Sequence, residues 1–215
     1  MKSNVLDQHQ IDATLLLLGG GKGVRMGGNK LYLEIDGAPL IEQIMCELAP
    51  IFKETLLLVA RGEKEPVTEK LGSLLFEHAV QVVEDERIAI GPLEGLRSGL
   101  EKMSQNWGFL VGCDMPSVQK NLVFFMSSFR AEGVDVIAAE RSGYIEPLHA
   151  FYSKSSLPSI KKSISNRQKK IKFFYRDINL FLIKEELLKL HGNVEKSFFN
   201  LNYPADVLQM KKMAL

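Results

Sequence analysis

The feature that most constrains this chain is an apolar run, residues 14–18, that leads directly into a glycine-rich basic loop, residues 19–30. Six of the twelve loop residues are glycine, and the loop also carries the cations Lys22, Arg25 and Lys30. Because glycine has no side chain, the backbone N–H groups of such a loop can line a concave surface that binds anions. Open α/β sheets bind ligands at the carboxyl ends of their strands. The run and the loop together therefore predict a phosphate-binding site at the end of a buried strand.

Two familiar phosphate-binding loops do not match this segment. The P-loop requires a serine or threonine directly after its lysine, where the hydroxyl holds magnesium. Here Gly23 follows Lys22 instead. The dinucleotide pattern G-x-G-x-x-G is met only loosely, by Gly19, Gly21 and a misplaced Gly23. A flexible glycine connection between a strand and a helix stays open as the alternative.

Composition narrows the classes of protein that need to be considered. The 215 residues carry a formal net charge of +1, which gives no reason to expect nucleic acid or an acidic membrane surface as a partner. No apolar run approaches the roughly 20 residues that a transmembrane helix needs, and residues 1–10 contain no signal-peptide core. The two cysteines have no metal-ligand spacing. We expect a cytoplasmic protein, with a polar extension over residues 1–12 and one domain over residues 13–215.

Apolar runs typical of strands alternate with amphipathic segments of helical period. This rhythm predicts βαβ units and a Rossmann-like, doubly wound, mostly parallel sheet. Because such strands are buried on both faces, their apolar runs are continuous. Strands are expected at 14–18, 55–59, 80–83, 107–111, 134–138, 144–152 and 178–183, and helices at 39–48, 95–103, 121–130 and 184–190, with basic helical material at 153–174.

An acidic turn follows the apolar run 107–111, in the sequence Gly-Cys-Asp-Met-Pro. Pro116 prevents regular continuation of the strand pairing, so Asp114 is expected at the carboxyl edge of the sheet, beside the glycine loop. A carboxylate beside a bound phosphate group repels it unless a divalent cation lies between them, and magnesium prefers one or two carboxylates plus phosphate oxygens and waters. The alternative is an aspartate that caps the following helix. Cys113 is expected to be a packing residue.

A second acidic turn, Glu84-Asp85, follows the run 80–83 and precedes Gly-Pro-Leu-Glu-Gly, residues 91–95. Proline is favoured at the first position of a helix, so Pro92 is expected to begin one. A carboxylate or a backbone carbonyl at this turn can accept hydrogen bonds from N–H or O–H groups of a ligand. The alternatives are a solvated turn and a plain helix start.

Taken in order, these segments resemble the motifs of the MobA-like nucleotidyltransferases. The loop Gly-Gly-Gly-x-Gly-x-Arg-Met-Gly-x-x-Lys resembles the signature loop of that family, and Gly-Pro-Leu-x-Gly and Cys-Asp-Met-Pro resemble two further motifs. Residues 146–152 resemble its Pro-x-x-Ala-x-Tyr strand, in which His149 is expected to be structural. Residues 199–206 resemble its Asn-x-Asn-Thr-Pro-x-Asp segment, with Tyr203 in place of threonine and with Asp206 expected to serve the last helix. The resemblance spans about residues 13–210.

The sequence also departs from the family pattern. Glycine stands at Gly19 and Gly23, where the family usually has alanine and either serine or alanine, respectively. The segment Ala60-Arg61 lacks an asparagine that some members use to contact the nucleotide. The resemblance therefore does not imply that contact for this chain.

The resemblance implies a fold like that of the nucleotide-diphospho-sugar transferases and a set of site residues. It implies that Asp114 and Asn202 hold Mg²⁺ and that Arg25, Lys30 and Asp114 are catalytic. The nucleotide-binding residues that it implies are Leu18, Gly19, Gly20, Gly21, Lys22, Arg25, Lys30, Asp85, Gly91, Pro92, Gly95 and Asp114.

The resemblance further implies transfer of GMP from GTP to the phosphate of molybdenum-molybdopterin, giving a guanine dinucleotide and pyrophosphate. Gly20 stands where cytidylyl relatives have alanine, which leaves space for a purine and favours GTP over CTP. A relative that uses CTP or a sugar or alcohol phosphate acceptor, and a non-catalytic nucleotide-binding relative, stay open. Transient contact with proteins that insert molybdenum or receive the cofactor is compatible with this function.

A basic run near the carboxyl end is a candidate for binding the acceptor. It places seven positive charges within sixteen residues, flanked by aromatic side chains. Such a run can steer an anionic substrate by long-range attraction. The alternative is a solvated helix face. The cations are Lys161, Lys162, Arg167, Lys169, Lys170, Lys172 and Arg176.

Overall fold

Nine strands and eight α-helices, besides short 3-10 helices, are present in the computed structural model, which describes residues 10–19, 30–35, 37–87 and 91–213. The strands are β1 Ile11–Leu18, β2 Glu34–Ile35, β3 Ala38–Pro39, β4 Phe52–Val59, β5 Val80–Glu84, β6 Trp107–Gly112, β7 Val136–Arg141, β8 Tyr144–Ser153 and β9 Leu180–Lys184. The helices are α1 Leu40–Leu48, α2 Lys64–Glu77, α3 Pro92–Lys102, α4 Lys120–Ser127, α5 Leu157–Ser165, α6 Glu185–Lys189, α7 Val194–Ser197 and α8 Pro204–Met213.

Seven of these strands form one sheet in the order β5-β4-β1-β6-β8-β7-β9, and β2 and β3 form a separate antiparallel hairpin. Strand β8 runs antiparallel to both of its neighbours, β6 and β7, and the other strands of the sheet share one direction. The predicted α/β fold with a mostly parallel sheet is confirmed. The strand order reverses at β1, which lies between β4 and β6, and the crevice outside such a reversal is where open α/β sheets bind ligands.

Strand β1 shows why the apolar run is continuous. Leu15 and Leu17 pack into the core on one face of the sheet, while Leu16 and Leu18 pack into the core on the other. Helices cover both faces, so no residue of this run can be polar without a buried partner. Each such leucine contributes about 1.5–3 kcal/mol of burial free energy.

A small third cluster lies under the hairpin. Ile35, Leu40 and Leu201 are buried in it, and Val207 and Met210 of α8 pack against it. This cluster joins the segment that follows the glycine loop to the end of the chain. It therefore brings two parts of the sequence that are far apart to the same edge of the sheet.

The basic stretch 153–174 is only partly the helix that its composition predicts. Helix α5 ends at Ser165, and a 3-10 helix occupies Ile171–Asp177. The backbone N–H of Gln168 donates to the carbonyl of Ser163, and that of Arg167 donates to Ile164, while Arg167 has a φ of +59°. These are the two hydrogen bonds of a Schellman cap, a motif that usually places glycine at the left-handed position. Because arginine and not glycine occupies this position, no sequence signal marks the end of the helix.

Within the described ranges, none of the helices combines the length and the apolar character needed to span a membrane.

Candidate active site

Three predicted site residues meet at the carboxyl edge of the sheet. The ammonium of Lys30 lies 2.8 Å from Oδ2 of Asp114 and donates to Oδ1 of Asn202 at 3.1 Å. The Lys30 and Asp114 side chains are 16% and 22% exposed, so the ion pair is mostly buried but still accessible to a ligand. The sequence separates these residues by as many as 172 positions, and the fold places them around one point.

The Asp114 turn is held by backbone hydrogen bonds on two sides. The N–H of Cys113 donates to the carbonyl of Leu18 at 3.2 Å, which joins the turn to the end of β1. The N–H of Leu201 donates to the carbonyl of Asp114 at 2.8 Å, which joins the turn to the Asn202 segment. Asp114 therefore has a fixed backbone, as a positioned carboxylate requires.

Asn202 is fixed by the start of the last helix. The Asp206 carboxylate accepts hydrogen bonds from the backbone N–H groups of Asn202, at 2.6 Å, and of Tyr203, at 2.8 Å. A carboxylate in the first turn of a helix is also stabilised by the helix dipole. The expectation that Asp206 serves α8 is confirmed, and through that contact it orients the segment that carries Asn202.

Gly19 and Leu18 end the first strand within tight packing. The N–H of Gly19 donates to the carbonyl of Leu58 at 2.8 Å. A Cβ at Gly19 would lie 3.1 Å from a Leu57 methyl group and 3.2 Å from a Leu31 methyl group. Glycine here lets the 3-10 turn Lys30–Tyr32 close over the strand end and direct Lys30 toward Asp114.

The rest of the glycine loop lies outside the described residues. This concerns four of the predicted nucleotide-binding residues, one of them also predicted to be catalytic: Gly20, Gly21, Lys22 and Arg25.

Asp85 lies at the same edge, one residue beyond β5. Its Oδ1 atom is buried and accepts no hydrogen bond from the part of the chain that the structure describes. Burial, with a contribution from the nearby Glu94 carboxylate, raises the pKa of Asp85 to about 6. A buried acceptor with no donor is costly in the free protein. Such an unpaired oxygen is expected where a bound ligand supplies the missing hydrogen-bond donor.

The start of α3 lies beside Asp85, as the Gly-Pro-Leu-x-Gly motif predicts. Gly91 has a φ of +85°, which favours glycine, and Pro92 is the first residue of the helix. A Cβ at Gly95 would lie 2.6 Å from a methyl group of Leu18 and 3.8 Å from Oδ1 of Asp85. Gly95 thus allows α3 to pack closely against the end of β1.

The pKa of Asp85 leads to a stability prediction for Asp85→Asn. The carboxyl has a pKa of about 6 in the fold against an ordinary value of 3.8, so its ionised form is disfavoured by folding. The ionised group therefore destabilises the free protein above about pH 6, and this cost vanishes below about pH 4. The full displacement of the pKa corresponds to about 3 kcal/mol, and partial exposure to water reduces the expected gain to about 1–2 kcal/mol.

Urea unfolding of the wild type and of Asp85→Asn measures this gain. The variant is expected to be more stable at about pH 8 and equal to the wild type at about pH 4. A variant that is less stable at the higher pH contradicts the assignment of Asp85 as a buried, unsatisfied acceptor.

Two other residues that the sequence singled out are structural. Cys113 is buried, and burial raises the pKa of its thiol to about 12, in keeping with the expected packing role. His149 is fully buried, stacks on Phe198 and forms a 3.0 Å hydrogen bond with Ser197 Oγ. Burial lowers the pKa of His149 to about 3, so it stays neutral, as a structural histidine does.

Sequence reasoning missed a buried charge cluster on α3. Glu94 is completely buried, and Arg97, which is also buried, donates to both of its carboxylate oxygens, at 2.8 Å and 3.2 Å. The only signal in the sequence is the spacing of Glu94, Arg97 and Glu101, which puts the three charges on neighbouring turns of one helix.

A family model described as the MobA-like NTP transferase domain matches residues 15–180 of the chain. The match includes the second half of β1, the Asp85 turn, the start of α3 and the Asp114 turn. The chain belongs to this family. Its resemblance to the MobA-like nucleotidyltransferases is thereby confirmed, and the chain is a nucleotidyltransferase.

Individual relatives extend this result over nearly the whole chain. A probable molybdenum cofactor guanylyltransferase of Pelotomaculum thermopropionicum is 30% identical over 204 residues, which cover 95% of this chain and 94% of that protein. A protein of the same description from Thermococcus sibiricus is 32% identical over 199 residues, covering 91% of this chain and 96% of that protein. The crystal structure of molybdopterin-guanine dinucleotide biosynthesis protein A from Archaeoglobus fulgidus has the same fold. It superposes with a TM-score of 0.80 at 24% identity, covering 94% of this chain and 98% of that one.

Proposed function

We propose that this protein transfers GMP from GTP to the phosphate of molybdenum-molybdopterin, giving the guanine dinucleotide cofactor and pyrophosphate. The observation that carries the proposal is the meeting of Lys30, Asp114 and Asn202 at the reversal point of the sheet. The guanylyltransferase descriptions of the relatives support the choice of donor and acceptor. In the sequence, glycine stands at Gly20 where cytidylyl relatives have alanine, which supports GTP over CTP.

The reaction is an in-line displacement at the α-phosphorus of the nucleotide. A phosphate oxygen of the acceptor forms the new P–O bond as the bond to pyrophosphate breaks. Such reactions depend mainly on positioning and on neutralising charge. The backbone amides that follow Leu18 and Gly19, together with Lys22, Arg25 and Lys30, neutralise the triphosphate in this proposal.

The oxygen atoms around the Lys30 ammonium are suitable ligands for a magnesium ion. Asp114 and Asn202 provide a carboxylate oxygen and an amide oxygen, and both already surround one positive charge. Across the described ranges, no three His, Cys, Asp or Glu side chains form a metal site, so phosphate oxygens and waters must complete the coordination, as magnesium prefers. A bound Mg²⁺ supplies Lewis-acid stabilisation of charge on the transferring phosphoryl group. Asp114 and Asn202 would hold this ion, and the Lys30 ammonium would neutralise phosphate charge beside it.

The nucleoside lies, in this proposal, between the Asp85 turn and the start of α3. The Asp85 carboxylate has an unused buried oxygen that can accept from guanine N–H groups. Gly91 and Pro92 begin α3 at this place, and the Cβ position of Gly95 lies 3.8 Å from Oδ1 of Asp85.

A binding measurement tests the choice of base. A ligand that binds only the native state raises its stability by RT ln(1 + [L]/Kd), so tighter ligands give larger shifts. With magnesium present and at equal concentrations, GTP is expected to raise the melting temperature far more than CTP. Equal shifts with the two nucleotides contradict a guanylyl site and favour a cytidylyl one.

The acceptor is proposed to approach along the basic segment after α5. The carbonyl of Lys169 lies 3.8 Å from the Cβ position of Gly91, so this segment borders the nucleotide edge. The ammonium of Lys172 lies 5.8 Å from the ring centroid of Tyr144, whose side chain is largely exposed. Within the described ranges no acidic side chain pairs with Lys169, Lys170 or Lys172, whereas Lys161 and Lys162 pair with Glu101 and Asp177. The unpaired cations are the ones available to an anionic pterin phosphate.

Replacing Lys169, Lys170 and Lys172 with glutamine is expected to raise the KM for the acceptor and to leave GTP affinity nearly unchanged. The defect should shrink as salt rises, because exposed charges are screened over roughly 8 Å at physiological ionic strength. The double variant Lys161→Gln/Lys162→Gln is the control, since it removes cations of the same run that are already ion-paired. If the triple variant and this control behave alike in steady-state kinetics at low and high salt, the basic run is only a surface.

We place this activity in the cytoplasm, in one domain over residues 13–215 preceded by a polar extension, although β1 itself starts two residues earlier, at Ile11. Transient contact with proteins that insert molybdenum or receive the cofactor fits this function.

A further inference from the structure

The turn that carries Asp85 is tied to its surroundings by its backbone and by both neighbouring side chains. The Glu84 carboxylate accepts from the backbone N–H groups of Gly62, at 2.8 Å, and of Lys64, at 3.1 Å. The backbone N–H of Asp85 donates to the carbonyl of Val59 at 2.9 Å. These contacts hold the turn from the side of β4 and α2.

Arg61 adds a tie that the sequence did not predict. Its guanidinium donates to the backbone carbonyl of Glu86 at 3.2 Å. Arg61 belongs to the segment that lacks the nucleotide-contacting asparagine of some family members. In this chain the segment supports the acidic turn.

Arg97 holds the turn from the opposite side, that of α3. Its Nη2 atom lies 3.0 Å from a carboxylate oxygen of Glu86 and 2.8 Å from one of Glu94, and its Nη1 atom pairs with Glu101. The Arg97 side chain is 6% exposed and that of Glu94 is 0% exposed, whereas that of Glu86 is 70% exposed. A buried arginine thus reaches out of the core to hold an exposed glutamate next to Asp85.

Arg97 also controls the charge around Asp85. The buried Glu94 carboxylate raises the pKa of Asp85, whereas the Arg97 guanidinium opposes that effect. Three carboxylates, Glu86, Glu94 and Glu101, converge on this one guanidinium. Without Arg97, Glu94 would be an uncompensated buried charge beside the turn.

We propose that Arg97 is a positioning residue for recognition of the nucleobase, acting through Glu86 and Glu94 on the Asp85 carboxylate. With the turn fixed on both sides, Asp85 presents its unpartnered Oδ1 to a base edge that carries two neighbouring N–H donors. Guanine has such an edge, and hypoxanthine lacks the exocyclic amine. A site built to accept a hydrogen bond discriminates strongly against an analogue that cannot donate it. The proposal rests on the nucleotide site proposed above and extends it to a determinant of base selectivity.

The test compares the affinities of GTP and ITP for the full chain, measured by titration calorimetry with magnesium. The wild type is expected to prefer GTP by at least about tenfold, as one hydrogen bond to a charged group provides. The double variant Arg97→Met/Glu94→Gln removes the ion pair with Glu86 without leaving Glu94 as an unpaired buried charge. Its ratio of GTP to ITP affinity is expected to fall toward one. Glu86→Gln keeps the size of an exposed side chain, should fold normally, and is expected to lower the preference severalfold.

Lys161→Met is the matched control. It removes the 2.8 Å ion pair of Lys161 with Glu101, at the outer end of the same cluster, and does not touch the turn. It is expected to retain the wild-type preference. A purely structural role for Arg97 lowers the melting temperature of the double variant but leaves its GTP to ITP ratio unchanged.

The outcomes separate this proposal from the one on which it rests. Unchanged ratios in both Glu86→Gln and the Arg97 double variant, with a normal wild type, overturn the role of Arg97 and leave the proposed function intact. A wild type that binds neither nucleotide overturns the proposed function itself. If the double variant does not fold, Glu86→Gln alone decides, since an unchanged ratio there overturns the proposal and a lowered ratio supports it.

Discussion

Asp114→Asn is expected to lower turnover at least about a hundredfold, which corresponds to about 2.7 kcal/mol of lost transition-state stabilisation. Asparagine keeps the size and the hydrogen-bonding ability of the side chain but removes the charge that holds the cation. The backbone of the turn is fixed by Cys113 and Leu201 independently of the carboxylate, so the fold should survive. Steady-state turnover and circular dichroism on the same preparation measure both effects.

Asp12→Asn provides the control for this prediction. Asp12 pairs with Lys53 at 2.8 Å, the same distance that joins Asp114 to Lys30. That pair lies near the amino ends of β1 and β4, at the opposite edge of the sheet, and is largely exposed. Its loss should leave turnover unchanged. Wild-type activity of Asp114→Asn would reduce Asp114 to a structural aspartate at the end of a strand.

The second large effect is expected for Lys30→Met. Methionine preserves much of the apolar stem but removes the ammonium that contacts Asp114 and Asn202 and that neutralises the triphosphate in the proposed mechanism. Removing one preorganised group of this kind typically costs about 10²–10³ in kcat. Lys53→Met, which breaks the pair with Asp12 at the other edge, is the matched control.

The double variant Lys30→Met/Asp114→Asn adds a sharper criterion. Catalytic residues that act as a unit give strongly non-additive losses. The double variant should therefore be little worse than the more damaged single variant. Losses that multiply in full would show that the two residues act independently, contrary to the single site inferred here.

The site residues at the carboxyl edge of the sheet could be predicted because the sequence signals for them are local. A buried strand followed by a charged or glycine-rich turn recurs at Leu18, Asp85 and Asp114, and parallel strands necessarily bring such turns to one edge. The same reasoning places α3, since Pro92 and Gly91 mark its start in the sequence. The presence of Asn202 in the site is implied only by motif resemblance, because no local pattern relates residues as far apart as Lys30 and Asn202.

Other features depend on tertiary contacts that leave no local signal. The end of α5 uses Arg167 where glycine is the usual marker, so the basic stretch looked more helical than it is. The buried Glu94–Arg97 pair resembles an ordinary surface ion pair in the sequence, and only the packing of α3 shows that both side chains are inside. Arg61 lies in the segment that lacks the family's asparagine, and its hydrogen bond to Glu86 gives it a different role that no local pattern shows.

The most direct test of the account is turnover of the full chain with molybdenum-loaded molybdopterin, magnesium and each of the four nucleoside triphosphates in turn. Pyrophosphate release is followed together with the mass of the product. The account predicts pyrophosphate and a guanine dinucleotide of the pterin with GTP, and little product with ATP, CTP or UTP. Release with CTP in preference to GTP, or no release with any of the four while GTP still binds, would contradict it.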